Sequence, residues 1–118
     1  MLINKINDNN FSQIAQQCKK PLLIKFYNPN CYLCDGMKPI FKEICSTFSD
    51  DYEFGVIDAT KSKKLSGFFK ITGVPHLFVV FNSDMVEIPY PKNPDPETGY
   101  SFYDIADFLH SYKTNNKR

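Results

Sequence analysis

Tryptophan is absent from this chain of 118 residues, arginine occurs once, as Arg118, and no apolar run exceeds the five residues from Leu77 to Phe81. A membrane-spanning helix needs about 20 apolar residues, so none is expected here. Lysine supplies the other basic side chains, and a planar guanidinium fork for reading bases or clasping phosphates is missing from the interior of the chain. Basic and acidic residues nearly cancel, at 14 against 13, which removes the broad positive field that nucleic acid or an anionic membrane selects. Neither is therefore an expected partner. The segment Met1 to Lys5 lacks the apolar stretch and small-residue cleavage site of a secretory leader, and Asn116-Lys117-Arg118 is no retention signal. The expected location is intracellular, in the cytoplasm. Cysteine is sparse, four residues in all, far below the density of a disulfide scaffold.

At 42% hydrophobic and 23% charged, the chain has the make-up of one globular domain. We expect a single domain over residues 1–112 and a polar tail over 113–118. Leu2 to Lys5 is a short strand candidate. Asn10-Phe11-Ser12-Gln13 has the spacing of a capping box and predicts a helix to about Cys18. Leu22 to Tyr27 is apolar on both faces, which predicts a central strand. Met37, Ile40, Phe41, Ile44, Cys45 and Phe48 recur at three- and four-residue steps, marking an amphipathic helix that Pro39 should kink. Glu53 to Asp58 reads as a strand, Lys61 to Ile71 as a helix, and His76 to Phe81 as a strand. Asn82-Ser83-Asp84 reads as a turn, Met85 to Tyr90 as the returning hairpin strand, and Phe102 to Tyr112 as a closing helix. Pro89, Pro91, Pro94 and Pro96 make the intervening stretch an extended surface loop. The alternation gives an α/β fold: a mixed sheet with helices on both faces.

Cys31-Tyr32-Leu33-Cys34 stands where the loop after the central strand opens a helix. Chemistry in such sheets gathers at the carboxyl end of a central strand. Free amides and the positive end of the helix dipole stabilise a thiolate there, so Cys31 is the candidate nucleophile and Cys34 the resolving thiol. A zinc knuckle is the competing reading. Cys45 lies eleven residues after Cys34 on the same helix, about 16 Å along its axis, so the two cannot meet at one ion. His76 is the one plausible third ligand, and no metal is expected. Cys18 and Cys45 read as small buried apolar residues.

Phe26-Tyr27-Asn28-Pro29-Asn30-Cys31-Tyr32-Leu33-Cys34, Pro39, Val56-Ile57-Asp58-Ala59-Thr60 and Gly73-Val74-Pro75 together resemble the thioredoxin superfamily, in particular the thioredoxin-like domains of protein disulfide isomerases. The resemblance runs from about residue 7 to residue 112. It implies a thioredoxin fold of about five strands and four helices, thiol-disulfide exchange without a cofactor, and partners of two kinds: protein substrates with thiols or disulfides, and a reductase or oxidase that recycles the cysteines. It also implies a cis Pro75 facing the CxxC, with Val74 offering its backbone to a substrate chain. Tyr32 and His76 are further candidate substrate contacts.

The sequence departs from that pattern at several places. Asn30 replaces the usual tryptophan, Tyr32-Leu33 the usual intervening dipeptide, and Asp35 a lysine; a carboxylate there opposes thiolate formation. Tyr100 stands where the isomerases carry an arginine. Lys25 occupies the place of a buried acid that shuttles the resolving thiol's proton. A buried Lys25 would tune or deprotonate Cys34, whereas a snorkelling one would bury only its stem. Two function classes follow: a thiol-disulfide oxidoreductase, and a redox-inactive adaptor that keeps the fold for protein binding.

Overall fold

The structure is a computed structural model and describes residues 2–115. Among these, five strands form one mixed sheet in the order β1-β3-β2-β4-β5: β1 (Ile3–Ile6), β2 (Leu22–Tyr27), β3 (Glu53–Asp58), β4 (His76–Phe81) and β5 (Asp84–Ile88). The helices are α1 (Phe11–Gln17), α2 (Tyr32–Thr47), α3 (Lys63–Phe68) and α4 (Phe102–Asn115). Strands β1, β3 and β2 run parallel, β4 antiparallel to β2, and β5 antiparallel to β4. Leu22 to Phe26 are all buried, as an apolar run covered on both faces requires.

Alternation along the strands splits the core in two. Leu23, Phe54, Leu77 and Val79 face α2 and α4, where Phe41, Ile44, Ile105 and Leu109 cover them. Leu22, Ile24, Phe26 and Phe78 face α1 and α3, where Leu65 and Phe69 close the layer.

Several boundaries differ from those the sequence predicts. Strand β1 is shifted one residue later, to Ile3–Ile6. The Asn10/Gln13 capping box does not form: Asn10 makes no side-chain cap, and its Oδ1 instead accepts the Asn7 N–H at 2.8 Å; α1 ends at Gln17, with Cys18 as its C-cap, where the sequence places it. Helix α3 is shorter than the predicted Lys61 to Ile71. Its first turn is fixed by Asp8, whose carboxylate accepts the Lys64 and Leu65 N–H groups at 3.2 and 2.9 Å. It stops because Lys70 turns left-handed (φ 57°) and the Ile71 N–H reaches back to Ser66. The hairpin turns on two residues, Asn82 and Ser83, both at positive φ, so β5 begins at Asp84 and ends at Ile88. Helix α4 runs through Lys113 to Asn115, past the predicted end at Tyr112; residues 116–118 of the predicted tail lie outside the described residues. Pro39 sits inside α2, which is one unbroken element.

The proline-rich loop after β5 is exposed but anchored. Asp95 and Gly99 form an antiparallel bridge, Tyr90 packs edge-on against buried Tyr100, and the Glu97 carbonyl seats against Gly36 of α2, where a Cβ would collide with it. Replacing Gly36 by Ala should therefore destabilise the domain by about 1–3 kcal/mol. Gly67→Ala in α3, where a Cβ meets nothing within 4 Å, should raise stability by up to about 1 kcal/mol. Urea unfolding of the two variants checks the pair.

Lys25 is the buried charged side chain among the described residues, 5% exposed, and it lines a cleft beside Lys38 and Lys42. It faces the α2 layer, and its Nζ lies 4.7 Å from the Phe41 ring centroid. Burial first, and the like charge of Lys38 second, lower its pKa from 10.5 to about 8. A lowered lysine pKa penalises the folded state fully below pH 8 and not at all above 10.5. Lys25→Met should thus be the more stable protein at pH 7, by roughly 3 kcal/mol at most. Its margin over wild type should shrink as pH rises from 8 toward 10, which urea unfolding at several pH values reads.

Candidate active site

Strand β2 delivers the chain to Asn28-Pro29-Asn30, and α2 starts immediately after Cys31, its N-cap residue. Cys31 and Cys34 form a disulfide with Cα atoms 5.1 Å apart. The Cys34 N–H donates to Cys31 Sγ at 3.1 Å, so the same backbone donor that caps the helix lies ready to stabilise a thiolate at Cys31 once the bond is reduced. Cys31 is partly exposed, whereas Cys34 is buried at 2%. That asymmetry suits an attacking thiol at the surface and a second one behind it. The Asp35 carboxylate lies in the first turn, where it pairs with Lys38 at 3.3 Å; both side chains are well exposed.

The antiparallel pairing of β4 with β2 sets Phe26 opposite His76, so the start of β4 arrives at the carboxyl end of β2. The Val74–Pro75 peptide is cis, and the Val74 carbonyl oxygen lies 3.8 Å from Cys31 Sγ. Tyr32, between the cysteines, is 70% exposed. Cys31, Cys34, Tyr32, Val74, Pro75 and His76 are thus brought to one end of the sheet.

His76 stands on the α1/α3 side, its ring tilted against that of Phe78 with centroids 4.8 Å apart and its Nε2 on the Glu87 carboxylate. Glu87 is a partner that sequence reasoning missed, although the hairpin register, which pairs Phe78 with Glu87, would have placed it nearby. Lys25 is on the other side of the sheet, against α2, where its charge and Cys45 influence each other. Tyr100 is a core residue whose hydroxyl donates to the Ile88 carbonyl at 3.1 Å, and burial raises its pKa.

The other two cysteines are free. Cys45 is buried, and burial pushes its thiol up to about 12. Cys18 is only partly buried, a correction to the sequence reading; burial and then the nearby Glu53 push it up to about 11. Both thiols stay protonated at neutral pH. Among the described residues, no three His, Cys, Asp or Glu side chains gather where a metal ion would be held, and no helix is long and apolar enough to cross a membrane.

Comparison with known proteins gives a consistent picture. The chain is 33% identical over 89 residues to thioredoxin Y2, a chloroplastic protein of Arabidopsis thaliana, covering 72% of this chain and 53% of that one. It is 30% identical over 110 residues to protein disulfide-isomerase A2 of Mus musculus, covering 91% of this chain and 20% of that one. The chain therefore spans about half of one relative and a fifth of the other. Among solved structures, a crystal structure of chloroplastic thioredoxin z superposes with a TM-score of 0.76 over 97% of this chain and 96% of that one, at 14% identity, a likeness of fold. The family model for thioredoxin matches residues 2–95, and on that match, across all five strands of the sheet and the whole Cys31–Cys34 junction, the chain belongs to the thioredoxin family.

Proposed function

We propose that this chain is a thiol-disulfide oxidoreductase that exchanges disulfides with protein substrates through Cys31 and Cys34. The observation that carries the reading is the pairing of those two sulfurs at the tip of α2, one partly exposed and one buried, with the Cys34 N–H directed at Cys31 Sγ. In the reducing direction, the Cys31 thiolate attacks one sulfur of a substrate disulfide, forming a mixed disulfide and releasing the other substrate sulfur as a thiolate that takes up a proton. Cys34, on losing its proton, attacks Cys31 Sγ, which frees the second substrate thiol and leaves the Cys31–Cys34 disulfide. Two electrons pass to the substrate. The oxidising direction is the same sequence reversed, and a reductase or oxidase of matching potential resets the pair.

The substrate chain lies along Val74 as an added strand, its cysteine led to Cys31 by the short path between the Val74 carbonyl and Cys31 Sγ. Pro75 shapes that edge, while exposed Tyr32 and the neighbouring His76 supply side-chain contacts. Lys25 acts as a positioning residue for charge rather than as a reacting group. Its ammonium, held on the α2 side of the sheet, would act on the Cys31/Cys34 pair through its field alone, favouring the anionic form of a thiol.

Reduction of insulin is the direct test. Wild type should turn over, Cys34→Ser should stop turnover and accumulate a Cys31 mixed disulfide, and Cys31→Ser should neither turn over nor trap substrate. A wild-type protein without turnover, together with a Cys34→Ser variant that traps nothing, would assign the chain to the adaptor class. A second measurement addresses Lys25: placing an acid there with Lys25→Glu should move the pH profile of the reduction upward by on the order of one unit. An unmoved profile gives Lys25 no part in the exchange.

A further inference from the structure

Away from the disulfide, a cleft of about 300 Å³ opens between α2 and the β1–β3 edge of the sheet. Its apolar lining comes from Ile3, Val56 and Phe41, with Pro39 at one side. Its charged lining is entirely cationic: Lys25, Lys38 and Lys42. Lys25 and Val56 are register partners, as are Val56 and Lys5, so a fourth cation stands on the adjoining strand.

The three lysines differ in how their charge is met. Lys38 has the solvent-screened pair with Asp35. Lys42 is exposed and has no ion-pair partner among the described residues. Lys25 is more than nine-tenths buried and has neither a hydrogen bond nor an ion pair among the described residues, only the face of Phe41. Among the described residues the one sealed side-chain polar atom without a partner is Ser62 Oγ, so the Lys25 ammonium, which lacks an acceptor within the protein, meets solvent at this cleft. Here it lines a cleft that no carboxylate of the chain enters.

We propose that this cleft binds a small monocarboxylate with an aliphatic or aromatic body, the carboxylate accepting from the Lys25 ammonium and the body lying on Ile3, Phe41 and Val56. The apolar floor is what selects this class. An inorganic anion would shed water there and find no apolar partner surface, whereas a neutral apolar molecule would leave the Lys25 ammonium unmet. The rim lysines Lys38 and Lys42 hold the anion's approach and screen its charge. A bound carboxylate favours the protonated amine. With the Lys25 pKa lowered to about 8 by burial and Lys38, affinity should be steady below that pH and fall above it. The other groups bearing on Lys25 are Lys42 and Cys45 of α2 and Lys5 of β1. The Cys45 thiol, pushed up to about 12, stays neutral through this range.

The test is an amide chemical-shift titration of the oxidised full chain with hexanoate, 1-hexanol and inorganic phosphate in parallel. Because no substrate disulfide is present, failure here leaves the redox assignment standing, and the reverse also holds. Hexanoate should give saturable shifts centred on Ile3, Phe41 and Val56. Lys25→Met should weaken its binding about tenfold, the scale of one lost charge-assisted hydrogen bond. Lys42→Glu, on the exposed rim and harmless to folding, should weaken it in the same direction. Absence of saturable shifts, equal binding of 1-hexanol or of phosphate, or hexanoate affinity unaltered in both variants and flat between pH 7 and 9, would each overturn the proposal.

Discussion

The antiparallel pairing of β4 with β2 is the constraint on which the rest depends. Because β4 runs against β1, β3 and β2, its first residues reach the same end of the sheet as the last residues of β2. Without that reversal, the Val74–Pro75 edge and the α2 tip would sit at opposite ends of the domain. The run Leu22 to Phe26 makes the arrangement rigid, since each of its apolar side chains is sealed by one helical layer or the other. The cysteines are thereby held at the first turn of α2, joined by a short loop to a strand that has no freedom to slide.

Most of this architecture is legible in the sequence because it rests on periodicity. The two-faced apolar run of β2 and the three- and four-residue steps of α2 each specify one element, and the CxxC falls at their junction. What escapes is what depends on partners distant in sequence. Asn10 looked like a helix cap, but the nearer Asn7 side chain and backbone claim its hydrogen bonds. Asp8 caps α3, more than fifty residues away, and no local pattern announces it. Lys70 in the left-handed region is invisible to propensity, which favours glycine there. The docking of the Glu97 carbonyl on Gly36 depends on how a loop folds back, and prolines alone do not specify that.

Lys25 shows the opposite case, a residue whose oddity is plain in the sequence and whose environment the fold supplies. A charged side chain in the middle of an apolar strand must be tolerated by something. Here the aromatic face of Phe41 is the contact provided, and it replaces only part of the lost hydration. The site therefore carries a deliberate electrostatic imbalance: cations along the flank of α2, and Asp35 as the acidic group of its first turn.

Lys25 and His76 flank the same junction from opposite faces of the sheet, one against α2 and the other beside Phe78 and Glu87. The sheet between them is a dry partition, built from the most deeply enclosed strand of the molecule. A substitution on one face therefore leaves the packing of the other face in place, and the two flanks of the junction can be altered independently of one another.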